Sequence, residues 1–96
     1  MAEVSVVVVT LVKPEHLAWL EAKLNAVVPV VREKDKPVSY EVLRDPAEPR
    51  RFITLEKWAS KADFDAHMAS DHVQGFFVEA DGKIEGGDMF VMGGYL

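Results

Sequence analysis

The chain has 96 residues, 49% of them hydrophobic and 28% charged, with a net charge of -5 and no cysteine. That composition describes one folded domain spanning residues 1–96, and it excludes a disulfide framework, a thiolate nucleophile and cysteine-ligated metal centres. The acidic balance offers no positive field for nucleic acid. No apolar run is long enough to span a bilayer and no basic n-region is read as a leader, so a cytoplasmic protein without a membrane partner is expected.

Val4 to Val12 is almost entirely β-branched and predicts a strand apolar on both faces, with Val4, Val6, Val8 and Val12 on one side and Val7, Val9 and Leu11 on the other. Pro14 and Glu15 open a helix whose stripe runs through Leu17, Leu20, Leu24, Val27, Val28 and Val31. Pro29 predicts that the regular helix ends or kinks near Val27 or Val28. Trp19 lies opposite the stripe, as an exposed aromatic or a contact to a partner. Glu33 to Pro37 reads as a loop. Ser39 to Arg44 and Arg51 to Trp58 read as antiparallel strands joined by the acid- and proline-rich stretch 45–49. Ser60 offers an N-cap with Asp63 at the reciprocal position, and Ser70 offers a second cap ahead of Val73, Phe76 and Phe77. The glycines of Asp81 to Gly87 predict a loop, and Asp88 to Leu96 a last strand with a bulge at Gly93-Gly94.

The order β-α-β-β-α-β gives an α+β, ferredoxin-like antiparallel sheet with both helices on one face. The first strand is apolar on its other face too. A monomer would expose that face as a patch larger than soluble monomers ordinarily carry, so a twofold homodimer packing sheet on sheet is expected.

Five side chains are candidates for the chemistry: Glu56, Trp58, His67, His72 and Tyr40. Alternation places Phe52, Thr54, Glu56 and Trp58 on one face of the third strand. If that face meets an enclosed space, Glu56 can hold a proton and Trp58 can stack on a planar substrate; if it meets an interface, both are structural. His67 shares a helix face with Phe64 and Met68 and is either a proton-transfer group or a hydrogen-bonded packing residue. His72 is either a second such group or a cap. Their spacing of five, with no third ligand apparent, predicts no metal site. Tyr40 can hydrogen-bond a phenolic or quinone oxygen or a backbone group. No phosphate loop, dinucleotide fingerprint or nucleophile elbow occurs, so no nucleotide cofactor and no serine hydrolysis is expected.

Val30-Val31-Arg32-Glu33, then Tyr40-Glu41-Val42 with Asp45, then Glu56-Lys57-Trp58-Ala59-Ser60, then Phe64, His67, Ser70 and His72 resemble the antibiotic biosynthesis monooxygenase domain, from the first strand to about Phe77. The resemblance implies a dimeric α+β barrel and a cofactor-independent oxidation of a quinol or polycyclic phenol by molecular oxygen. It implies His67 and His72 as proton-transfer residues, Glu56 orienting a histidine or the substrate, and Trp58, Tyr40 and Phe64 shaping the pocket. The chain departs from relatives where Lys34-Asp35-Lys36-Pro37 replaces a Pro-Gly turn. It also has Phe76 and Phe77 late in the second helix and its only asparagine at Asn25, against the pattern of haem-degrading members. The alternatives are a non-catalytic dimeric ligand-binding module, or an isomerase or lyase on a phosphorylated metabolite served by Arg32 or Arg44.

Overall fold

A computed structural model describes residues 2–96. Four strands form one antiparallel sheet: β1 (Val4–Val12), β2 (Ser39–Arg44), β3 (Arg51–Trp58) and β4 (Ile84–Met92), in the spatial order β2-β3-β1-β4. The valine-rich β1 and β3, which carries Phe52 and Trp58, take the two central places, each flanked by a strand on both sides. The helices α1 (Leu17–Val30), α2 (Lys61–Ala69) and α3 (Asp71–Ala80) complete the ferredoxin-like α+β fold expected from the element order. Among the described residues no helix is long and apolar enough to cross a membrane.

Register decides which residues share a face. Tyr40 lies opposite Glu56, Glu56 opposite Val6, and Val6 opposite Val91, so these four form one row on the helix side. Two buried clusters close that side. Val6, Val31, Trp58 and Phe64 form one, and Val12, Leu20 and Phe52 the other. Both draw on the predicted α1 stripe.

Three expectations are corrected. Pro29 does not end α1; the helix runs through Val30 and continues as a π-helical turn, Val31–Asp35, where the Val31 N–H donates to both the Val27 and Val28 carbonyls. Pro29 and Asn25 are both exposed, so solvent can replace the donor that the Asn25 carbonyl loses to the proline ring. Gly86 and Gly87 lie inside β4 rather than in a loop, and the bulge falls where Leu11 pairs with Gly86 and Val12 with Ile84, leaving Glu85 as the extra residue. The Arg50 guanidinium pins that bulge, donating to the Val12 carbonyl at 2.9 Å and to Glu85 at 3.0 Å. Trp19 is half-buried rather than exposed: it packs on Phe76 at 5.7 Å between ring centroids, with the Lys83 ammonium 5.1 Å from the centre of its ring.

The caps form as the sequence indicates. The Ser60 hydroxyl accepts from the Asp63 N–H and starts α2; the Ser70 hydroxyl accepts from the Val73 N–H and starts α3. Ser70 itself is extended, so α2 and α3 are separated by this single residue, at the second cap the sequence indicates.

Candidate active site

Between the two buried clusters the sheet and helices enclose a mostly apolar cavity of about 310 Å³. Val8, Thr10, Phe52 and Thr54 form part of its sheet wall, and Leu24, Val27 and Phe76 part of its helix wall. Its exposed lining residues, Phe77, Gly87, Asp88 and Met89, mark a mouth between α3 and β4. No lysine or arginine lines it. Apolar walls with a few convergent polar groups suit a small, largely apolar ligand.

The polar groups near its inner end are Tyr40, Glu56 and His67. Strand alternation brings Tyr40 and Glu56 side by side on neighbouring strands, and His67 comes down from α2, with its ring 6.0 Å from that of Tyr40. Glu56 is 6% exposed, and one carboxyl oxygen accepts from the Trp58 indole N–H at 3.0 Å. Burial pushes the Glu56 carboxyl up to about 7 against the opposing effect of that hydrogen bond. Burial likewise raises the Tyr40 phenol above its ordinary value, with the Glu56 and Asp35 carboxylates adding to the effect, so Tyr40 stays neutral and can donate.

His67 is held by a residue that the sequence does not single out. Its Nδ1 lies 2.7 Å from Asp35 Oδ2, and the same oxygen lies 2.8 Å from His72 Nε2. A carboxylate only accepts, so both imidazoles present N–H to it. Burial lowers the His67 pKa more than Asp35 raises it, which keeps the ring neutral. With Nδ1–H given to Asp35, the lone pair of the neutral ring is on Nε2. That nitrogen has no protein partner among the described residues, and none of their wholly buried side-chain N or O atoms lacks one, so it opens onto the cavity that His67 lines.

The candidate residues therefore divide. Tyr40, Glu56 and His67 meet at the cavity. Trp58 is fully buried and lies behind His67, ring centroids 4.5 Å apart, while Phe64 packs on Trp58 at 6.3 Å; neither lines the cavity. His72 stands outside it as well, on the far side of Asp35. Glu56 bonds Trp58 rather than a histidine; the acid that orients both histidines is Asp35. The expectation of no third ligand beside the histidines is likewise corrected. Five positions would separate two faces of one continuous helix, but Ser70 breaks the helix between them and both rings turn toward the same carboxylate. Asp35 is 32 and 37 residues away in sequence, in a charged segment with no local signature, so only the tertiary fold reveals it. Arg32 donates to the Tyr40 carbonyl and Arg44 pairs with Glu21, both away from the cavity.

The comparisons with known proteins agree with this architecture. PA3566 from Pseudomonas aeruginosa superposes with a TM-score of 0.88 at 18% identity, covering 100% of this chain and 97% of that one. SO0527 from Shewanella oneidensis gives 0.88 at 26% identity, covering 97% and 91%, and Rv0793 from Mycobacterium tuberculosis 0.89 at 19%, covering 99% and 97%. No curated protein sequence matches significantly. The family model described as antibiotic biosynthesis monooxygenase matches residues 4–79, which hold β1 through nearly all of α3 and every residue of the Tyr40, Glu56, His67 and Asp35 set, and the chain belongs to that family.

Proposed function

We propose that the cavity is the active site of a cofactor-free monooxygenase acting on a quinol or polycyclic phenol. The observation that carries this reading is the neutral His67, oriented by Asp35 with its free nitrogen on an apolar cavity that also holds two neutral-capable oxygen acids, Tyr40 and Glu56. His67 takes the substrate hydroxyl proton, and Asp35 stabilises the resulting imidazolium. Tyr40 and protonated Glu56 donate hydrogen bonds to the substrate oxygens. The resulting electron-rich anion passes electrons to molecular oxygen in a site from which water is excluded. For a quinol the balance is one oxygen atom entering the ring and the other leaving as water, all four electrons coming from the substrate as it becomes a hydroxyquinone. No lysine or arginine lines this cavity, which disfavours a phosphorylated metabolite there; Arg32 and Arg44 line a separate groove beside Glu21.

Oxygen uptake against a panel of naphthoquinols and anthrones tests the proposal. Uptake above autoxidation should fall about 100-fold or more in His67→Ala, the range for loss of a general base, and about 10-fold or more in Asp35→Asn. Equal rates with and without protein across the panel would refute it.

We infer further that two copies pair through the open sheet face. Leu43, Ile53, Val9, Leu55, Val7, Phe90 and Met92 share that face in register, and Leu43, Phe90 and Met92 are 48%, 50% and 53% exposed. Flanked by Glu41 and Asp88, the patch carries no covering element among the described residues, as an isologous dimer interface requires.

A further inference from the structure

We propose that Asp35, His67 and His72 form a zinc(II) site behind the cavity. Three ligand atoms of the kinds zinc prefers, Asp35 Oδ2, His67 Nδ1 and His72 Nε2, lie within 4.8 Å of one another. They come from three elements: the π-helical turn, α2 and α3. Zinc bonds of about 2.0–2.2 Å place tetrahedral ligand atoms about 3.4 Å apart, so the 2.7 and 2.8 Å pairs need only open by well under ~1 Å to admit the ion. The set is also shielded. His67, Asp35 and His72 side chains are 4%, 11% and 19% exposed, which leaves an approach on the His72 side for the ion and for a solvent fourth ligand. Asp35 Oδ1 has no hydrogen-bond partner among the described residues, so the carboxylate can turn toward a metal without breaking a second contact. Lys36, which follows Asp35, takes the left-handed conformation at φ 51°, uncommon for a lysine, and this fixes where the chain leaves the turn that presents the carboxylate.

The ion would not stand in the cavity. His67 lines the cavity but Asp35 and His72 do not, and the ligating nitrogen is the one turned away from it. A metal there cannot deliver oxygen to a substrate beside Tyr40, which separates this set from an oxygen-activating iron centre built from similar ligands. It would act on His67 instead. Both imidazoles bind zinc as neutral ligands, so metal on Nδ1 moves the His67 proton to Nε2. The cavity-facing nitrogen then changes from acceptor to donor. This second consequence rests on the proposed function, because it makes zinc occupancy and proton acceptance by His67 mutually exclusive.

Calorimetric titration of chelator-treated protein with zinc chloride tests the site. One ion per chain is expected, with affinity weakened at least tenfold in Asp35→Asn and in His72→Ala, and unchanged in His16→Ala, which removes the histidine outside the set. Cobalt(II) in place of zinc should give the intense visible bands of a four-coordinate centre. No binding, or binding indifferent to Asp35→Asn and His72→Ala, would overturn the site; these variants spare the deeply buried His67 and so keep the fold. Nitrogen NMR of the imidazoles reads the tautomer directly: zinc should shift the His67 proton from Nδ1 to Nε2, and an unchanged His67 spectrum at full occupancy would overturn the coupling. Neither readout needs turnover, so failure of the quinol assay alone would count against the oxygenase proposal and not against the metal.

Discussion

At the scale of single residues, Glu56 sets the pH behaviour. Its folded pKa is raised to about 7 from an ordinary value of 4.5, so between those values the folded state holds a proton that the unfolded state releases. Stability from this group is therefore greatest below about 4.5 and falls as pH rises through about 7, by up to about 3 kcal/mol. Glu56→Gln keeps an acceptor for Trp58 and removes the titration. Urea unfolding at pH 5.5 and 8 should show the variant gaining on the parent by about 2 kcal/mol at the higher pH, and a constant difference would contradict the assignment. Trp58→Phe removes the one hydrogen bond that lowers the Glu56 pKa and leaves its oxygen unpaired, so it should cost about 1–3 kcal/mol and raise the Glu56 midpoint further, measurable by carboxyl NMR titration. Strand alternation made Glu56 and Trp58 legible as neighbours on one face. It did not tell that the indole faces the carboxylate and the core rather than a ligand, because the depth of a side chain depends on which helix lies above it. Asp35 was illegible for the same reason at longer range.

At the scale of elements, the caps and the apolar stripes were readable because their chemistry is local. Ser60 and Ser70 each satisfy an N–H three residues on, and Ser60→Ala should lower unfolding stability by about 1 kcal/mol. Gly86 and Gly87 misled, since a glycine pair signals a loop unless a neighbouring strand demands closeness. Here it does: a Cβ on Gly87 would lie 2.8 Å from the Val9 carbonyl oxygen. Gly87→Ala should consequently cost about 1–3 kcal/mol by forcing β4 away from β1, while Gly86→Ala, with nothing near its Cβ, should cost less. Thermal unfolding of the two variants side by side distinguishes them. Pro29 misled because it and Asn25, whose carbonyl it leaves without a donor, lie on the exposed side of the helix, where solvent can replace a lost backbone bond.

For the whole molecule, the two-faced hydrophobicity of β1 was the most informative feature of the chain, and the structure leaves the second face without a helix to cover it. Light scattering at micromolar concentration should give about twice 10.7 kDa, and Leu55→Lys, at the middle of the face, should halve it while circular dichroism stays unchanged. A monomeric parent would refute the pairing. The same strand has another role. Val8 and Thr10 look into the cavity while Val7 and Leu11 look out, so one layer of backbone is the floor of the one and the surface of the other. Whatever settles against the outside bears on the shape within. Linkage then makes the two occupancies reciprocal: a ligand that tightens the association of two copies by some factor is bound more tightly by the pair by that same factor, and the concentration of the protein itself becomes an effector of its own affinity.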